Sequence, residues 1–187
     1  MPTIHWLGAG LSSVPGIRRL AASERHFILW NRTLSKAQIA LDGSSGQARR
    51  LGWAELTESV QSGDVIVSML PADLHSQVAD LCLHRGSHFV SSSYVSPAMQ
   101  ALDAEAKAND LRFVNEVGLD PGIDHLMAHA LMADYQSAGV MNPAHEHCFR
   151  SFCGGFPSQP NDFRYKFSWS PLGVLRALKT PARWIEN

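Results

Sequence analysis

The sequence predicts an α/β fold, a doubly wound parallel sheet, followed by a segment of different character. Three observations carry this expectation. Short apolar runs alternate with amphipathic stretches, a glycine turn follows the first run, and the alternation stops after Gly139. Strand–helix alternation of this kind argues for right-handed βαβ units.

The apolar runs read as strands at 3–7 (TIHWL), 26–31 (HFILWN), 64–70 (DVIVSML), 88–93 (HFVSSS) and 111–117 (LRFVNEV), with a weaker one at 47–51 (QARRL). Continuous apolar runs bounded by turn residues suit strands buried on both faces. Helical stretches fall between them: SKAQIALD after Thr33, 72–86 with Gly86 as its stop, and a run from Ser96 as N-cap with Pro97 in the first turn. Residues 122–139 carry apolar positions at helical spacing. Beyond them the chain is rich in aromatics, glycine and proline, and HEHCFRSFC (145–153) alternates as a strand would. The domain boundary is expected near Gly118–Pro121 or just after the following helix.

Composition narrows the function. The 187 residues, 45% of them hydrophobic, can bury a real core. Sixteen basic against 17 acidic side chains leave a net charge of −1, which argues against nucleic acid or an anionic membrane as partner. No run approaches the ~20 apolar residues of a membrane span. The first apolar run lacks a basic leader, and three cysteines suggest no disulfide framework, so a cytoplasmic location is expected.

Gly8 and Gly10 follow the first strand directly, where a dinucleotide-binding Rossmann fold needs a tight turn and a backbone close to a pyrophosphate. Ser13 stands where the third glycine of the fingerprint usually falls. The second strand ends in Asn31 and Arg32 rather than the acidic residue that takes ribose hydroxyls in NAD-binding domains. An arginine there suits a 2′-phosphate, so NADP is the expected cofactor, with NAD the alternative; a solvated arginine is the plain reading. Ser68, Leu70 and Pro71 close the next long strand and should face the cofactor, although Pro71 also suits a helix start. His75, one turn into that helix, is compatible with a surface position and is assigned no role.

GAGLSSVP, NRTLSKA, SMLPADLH, SSSYVSPAM, NEVGLDPGIDH, CGGFPS and YKFSWSPLGVL, in that order along nearly the whole chain, resemble the saccharopine dehydrogenase family, most closely its glutamate-forming reductase branch. The resemblance implies a Rossmann domain (1–120) followed by the beginning of an α+β substrate and dimerisation domain (121–187), and a homodimer. It implies an oxidoreductase of lysine metabolism whose small-molecule substrate is an amino acid. The secondary amine of saccharopine is oxidised to an imine by hydride transfer to NADP. Water then splits the imine to glutamate and 2-aminoadipate 6-semialdehyde. Family members are roughly twice this long, so the sequence is expected to cover an N-terminal part. A carboxynorspermidine-type dehydrogenase, or a cofactor-binding or dimerisation module without activity, is the alternative.

By the same resemblance Ser93 and Tyr94 touch substrate or nicotinamide, Asp120 binds a substrate amine, and Cys153 and Trp169 belong to substrate-domain motifs. Each has a plainer reading: Ser93 and Tyr94 before a helix cap, Asp120 as an N-cap carboxylate, Cys153 as a small buried hydrophobe. Tyr94, Asp120 and His125 are the candidates for proton transfer, in falling order. Asp124, in a first helical turn, is expected to be structural. Arg164 and Lys166 could meet substrate carboxylates, though solvated basic residues are commoner. His145 and His147 lack a third ligand at sensible spacing, so no metal site is expected.

Overall fold

The five clear expected strands and the weaker one expected at 47–51 all line up in one sheet in the computed structural model, which describes residues 1–23, 26–152, 154–155, 157–179 and 181. The strands are β1 (Ile4–Leu7), β2 (Phe27–Asn31), β3 (Gln47–Arg50), β4 (Val65–Ser68), β5 (His88–Ser91) and β6 (Phe113–Val114). Their spatial order is β3-β2-β1-β4-β5-β6, with every pair parallel. That is the Rossmann order, which reverses direction between β1 and β4 and opens a crevice at the strand C-termini.

The connecting helices are α1 (Val14–Ser23), α2 (Leu34–Leu41), α3 (Trp53–Ser59), α4 (His75–Arg85), α5 (Pro97–Ala101) and α6 (Asp103–Ala108). Side-chain alternation along β1 and β2 feeds two cores. Trp6, Phe27 and Leu29 pack with Ile17, Ala21, Ala37 and Ala40 of α1 and α2. Leu7, Trp30 and Ile66 pack on the other face with Leu56 of α3 and Val78, Ala79 and Cys82 of α4. Full burial of each large apolar side chain contributes about 1.5–3 kcal/mol.

One polar group is built into this second core. The Trp30 indole N–H donates to His5 Nδ1 at 3.1 Å, and His5 Nε2 lies 3.1 Å from Asp64 Oδ2. Asp64 also accepts from the backbone N–H groups of Thr3 (2.7 Å) and Gln61 (2.8 Å). Burial pushes the His5 pKa below its ordinary value, against the opposing hydrogen bond and charge of Asp64. The network ties β1, β2 and the start of β4 together at the end opposite the crevice.

Some expectations shift. The helix from Ser96 is broken at Leu102 into α5 and α6, with the Ser96 hydroxyl accepting from the Met99 N–H at 3.2 Å as its cap. β6 is far shorter than 111–117, because Glu116 takes a left-handed backbone (φ 63°) that no strand tolerates. Residues 145–152 form no strand. After β6 come α7 (Ile123–Ser137) and α8 (Pro171–Ala177). The apolar stripe of α7 is present, yet Leu126, Met127 and Leu131 remain exposed, and no described residue of the helix is buried. No helix of the described residues is long and apolar enough to cross a membrane.

Candidate functional site

The glycine turn is clamped between two strand ends. The Gly8 N–H donates to the Trp30 carbonyl at 2.8 Å, and its φ is +101°. A Cβ on Gly8 would lie 2.8 Å from the Met69 carbonyl oxygen, so only glycine fits. Asn31 braces the turn from β2: its Oδ1 accepts from the Ala9 N–H at 3.1 Å and its Nδ2 donates to the Thr33 carbonyl at 2.9 Å. Gly10 is exposed at the tip, where an added Cβ would meet only Ser13 Oγ, at 3.8 Å.

Ser13 itself is buried. The close helix–strand approach falls instead to Gly16, whose Cβ would stand 3.1 Å from the Trp6 ring. The sequence reading missed that residue, although it sits in the first turn of α1, where a helix must press on β1. An open glycine tip at the N-terminus of a ten-residue helix fits a dinucleotide pyrophosphate. Arg32 projects into solvent just past β2.

At the ends of β4 and β5 a histidine joins two serines. Ser68 Oγ lies 2.9 Å from His75 Nδ1, and His75 Nε2 lies 2.8 Å from Ser93 Oγ. Ser68 is fully buried and His75 is 4% exposed, so the compatibility of His75 with a surface position is overturned. Its helix presents Val78, Ala79 and Cys82 on the same buried face, at spacings of three, four and seven residues that the sequence already displays. Burial lowers the His75 pKa, with the Asp73 charge opposing. Leu70 packs half-buried on the core and approaches Gly8, while Pro71 is exposed and precedes a 3-10 turn (Ala72–Leu74).

Tyr94 and Asp120, 26 residues apart, meet at the crevice mouth: the Tyr94 hydroxyl donates to Asp120 Oδ1 at 2.8 Å. Both are exposed. The Asp120 hydrogen bond, followed by partial burial, pushes the Tyr94 pKa up to about 12, so it stays a phenol at neutral pH. Glu116 Oε1 accepts from the Val95 N–H at 3.2 Å and fixes the loop that carries Tyr94.

Asp120 lies in a turn closed by the Gly118 N–H on the Pro121 carbonyl at 3.0 Å, and the Asp120–Pro121 bond is cis. The N-cap of α7 is Gly122, so Asp120 caps no helix. Asp124 does the structural work, accepting from the Gly122 N–H at 2.7 Å. His125 lies 3.6 Å from Asp124 and is largely exposed.

The second segment contributes less. Cys153 lies outside the described residues. Trp169 is half-exposed, and its ring lies against Gly173 of α8. Among the described residues Arg164 and Lys166 form no ion pair. His147 is engaged by the Tyr135 hydroxyl (2.6 Å) and the Asn142 carbonyl (2.8 Å), and no described cluster of His, Cys, Asp or Glu is arranged for a metal. Cys82 is no nucleophile, since burial pushes its thiol up to about 12.

Residues 4–114 match the saccharopine dehydrogenase NADP binding domain, and residues 118–187 the saccharopine dehydrogenase C-terminal domain. The chain is 35% identical to the saccharopine dehydrogenase [NADP(+), L-glutamate-forming] of Schizosaccharomyces pombe, with 100% of this chain and 42% of that protein covered. It is 40% identical to the Pyricularia oryzae protein of the same name, over 99% of this chain and 42% of the relative. The solved apo saccharopine dehydrogenase (L-Glu forming) from Saccharomyces cerevisiae superposes with a TM-score of 0.73 at 31% identity, covering 95% of this chain and 41% of that one. The chain thus spans about two fifths of the length of these relatives. With a parallel sheet of Rossmann order, a clamped glycine turn and a matching NADP binding domain, the chain belongs to the saccharopine dehydrogenase family.

Proposed function

We propose that this chain binds NADP(H) across the C-terminal ends of β1, β4 and β5. We further propose that the protein it represents oxidises the secondary amine of saccharopine to an imine, which water resolves to glutamate and 2-aminoadipate 6-semialdehyde, or runs the reverse in lysine metabolism. The observation that carries the reading is the Tyr94–Asp120 hydrogen bond at 2.8 Å, between the loops that follow β5 and β6. The names of the relatives support the substrate.

The residues divide the work. Gly8 and Gly10 bring the backbone to the pyrophosphate, and Asn31 holds that turn in place. Arg32 meets the 2′-phosphate. Leu70 and Pro71 form the floor under the nicotinamide half and Ser93 the rim, while the buried Ser68 supports that rim from behind through His75. When bound, the nicotinamide supplies the hydride acceptor or donor.

Asp120 is the proton-accepting group. Its Oδ1 is held by Tyr94, while its Oδ2 makes no hydrogen bond among the described residues and is open to the substrate amine. Tyr94, kept as a phenol, orients that carboxylate and donates a hydrogen bond rather than removing a proton. Cys153 and Trp169 contribute from the substrate domain. We assign 1–120 to the dinucleotide-binding unit and 121–187 to the start of the substrate and dimerisation unit. We place the whole protein in the cytoplasm as a homodimer; the exposed apolar stripe of α7 supports further packing there.

Titrating NADPH fluorescence tests the first half, and no change up to about 1 mM overturns cofactor binding. For the second half, the complete protein is assayed with saccharopine and with carboxynorspermidine. Reduction of NADP with saccharopine, lost in Asp120→Asn while NADPH binding persists, is the expected result. Turnover of carboxynorspermidine alone assigns the alternative substrate. Binding without any turnover leaves a cofactor-binding module.

A further inference from the structure

His75 does something that neither serine beside it could do alone. We propose that His75 is a positioning residue that makes the Ser93 hydroxyl an obligate hydrogen-bond donor toward the carboxamide oxygen of the nicotinamide. This rests on the cofactor reading above.

The hydroxyl inventory sets the direction of each bond. Ser68 Oγ is fully buried, and among the described residues its one hydrogen-bond partner is His75 Nδ1 at 2.9 Å. Burial keeps the imidazole neutral near pH 7, so it carries one N–H and one lone pair. With the proton on Nδ1, the Ser68 O–H would be left buried without an acceptor, at the full desolvation cost of a hydroxyl. The Nε2–H tautomer avoids this: Ser68 donates to Nδ1, and Nε2–H donates to Ser93 Oγ at 2.8 Å. One lone pair of the Ser93 oxygen then accepts from His75, so its own proton is directed away from the imidazole.

Among the described residues no acceptor takes the Ser93 hydroxyl proton, and Ser93 is only partly buried. Its backbone is fixed on both sides, the N–H toward Ser91 Oγ (3.4 Å) and the carbonyl by the Glu116 N–H (3.1 Å). In a fold of this strand order the first three strands serve the adenosine half of the dinucleotide, and the second three the nicotinamide half. Ser68 ends β4, against the glycine turn through Met69, and Ser93 lies one strand further out. Within that half we assign the carboxamide oxygen as the acceptor for the Ser93 proton. A histidine locked as donor to Ser93 would let the site favour an acceptor there over a donor.

The two amide replacements separate this role from simple core packing. Asparagine reaches the place of Nδ1 and keeps a partner for Ser68, whereas glutamine reaches the place of Nε2 and keeps the bond to Ser93. Affinities for NADPH and for 2′-phospho-ADP-ribose, which lacks the nicotinamide, are measured by calorimetry for wild type, His75→Asn, His75→Gln, Ser93→Ala and the His75→Asn/Ser93→Ala pair. One hydrogen bond predicts that NADPH weakens about three- to tenfold in His75→Asn and Ser93→Ala and stays within about twofold in His75→Gln.

The double variant is expected to bind no more weakly than either single one, and 2′-phospho-ADP-ribose is expected to bind equally throughout. Equal losses in the asparagine and glutamine variants overturn the proposal, as does a loss shared by 2′-phospho-ADP-ribose or an unaffected Ser93→Ala, a partly exposed change that spares the core. Wild type binding neither ligand overturns the cofactor reading as well. Wild type binding both, with variants that do not discriminate, overturns the role of His75 alone.

Discussion

Replacing Gly8 by alanine sets a methyl group 2.8 Å from the Met69 carbonyl oxygen at a backbone φ of +101°. A non-glycine residue at such a dihedral costs about 1–3 kcal/mol. Forcing a methyl against a fixed backbone carbonyl costs about another 1–3 kcal/mol. The sum, roughly 2–6 kcal/mol, is a large share of the ~5–15 kcal/mol that holds a domain together. For a chain of this size the melting temperature should fall on the order of 10 °C.

Gly10→Ala is the matched control. Its Cβ meets only Ser13 Oγ at 3.8 Å and its φ is not positive. Its melting temperature should stay within about 2 °C of wild type, while NADPH affinity falls at least about tenfold, because the methyl occupies the backbone approach to the pyrophosphate. Thermal unfolding by circular dichroism and NADPH titration read the two effects separately. A Gly8→Ala protein that melts with wild type, or a Gly10→Ala protein that binds NADPH unchanged, would refute the assignment of one glycine to the fold and the other to the ligand.

Arg32→Ala should weaken NADPH about tenfold and leave NADH nearly unchanged, measured by parallel fluorescence titrations; equal losses would reject a 2′-phosphate contact. Stability should fall on acidification below about pH 6.5, where the unfolded chain protonates histidines that the folded chain holds neutral. The native pKa values of His5 and His75 are both lowered, chiefly by burial, so their contribution is complete above 6.5 and is lost between there and the native values. Each contributes at most about 1.4 kcal/mol per pH unit, and equal urea midpoints at about pH 7.5 and about pH 5.5 would contradict this. Asp120→Asn removes the main cause of the raised Tyr94 pKa, so ultraviolet titration should find that phenol moved down from about 12 toward the ordinary value of 10.0. An unmoved titration would sink the pairing of the two side chains.

The sheet was legible because its signal is local. Four residues in a row such as Ile4–Leu7, three of them apolar and the run closed by glycine, have few stable fates other than a strand covered on both faces. The site was legible only in pieces. Tyr94 and Asp120 each stood out by position, yet their hydrogen bond depends on β6 lying beside β5, so that the loops leaving both strands emerge together. Pairings across 26 residues are set by topology, which periodicity does not encode.

His75 was missed for the opposite reason. The stripe formed with Val78, Ala79 and Cys82 was visible, but a polar residue on an apolar stripe reads as an exception until its partners are known. Those partners, Ser68 and Ser93, belong to two different strand ends, and only the parallel register of β4 and β5 brings both within reach of one imidazole. The exposed stripe of α7 marks the converse limit. Its helical spacing was legible and its helix formed, but burial needs a partner surface, and local pattern carries no information about what supplies one. In this chain, chemistry that depends on one residue type was readable from the sequence, and chemistry that depends on which strand lies beside which became readable only once the order β3-β2-β1-β4-β5-β6 was in hand.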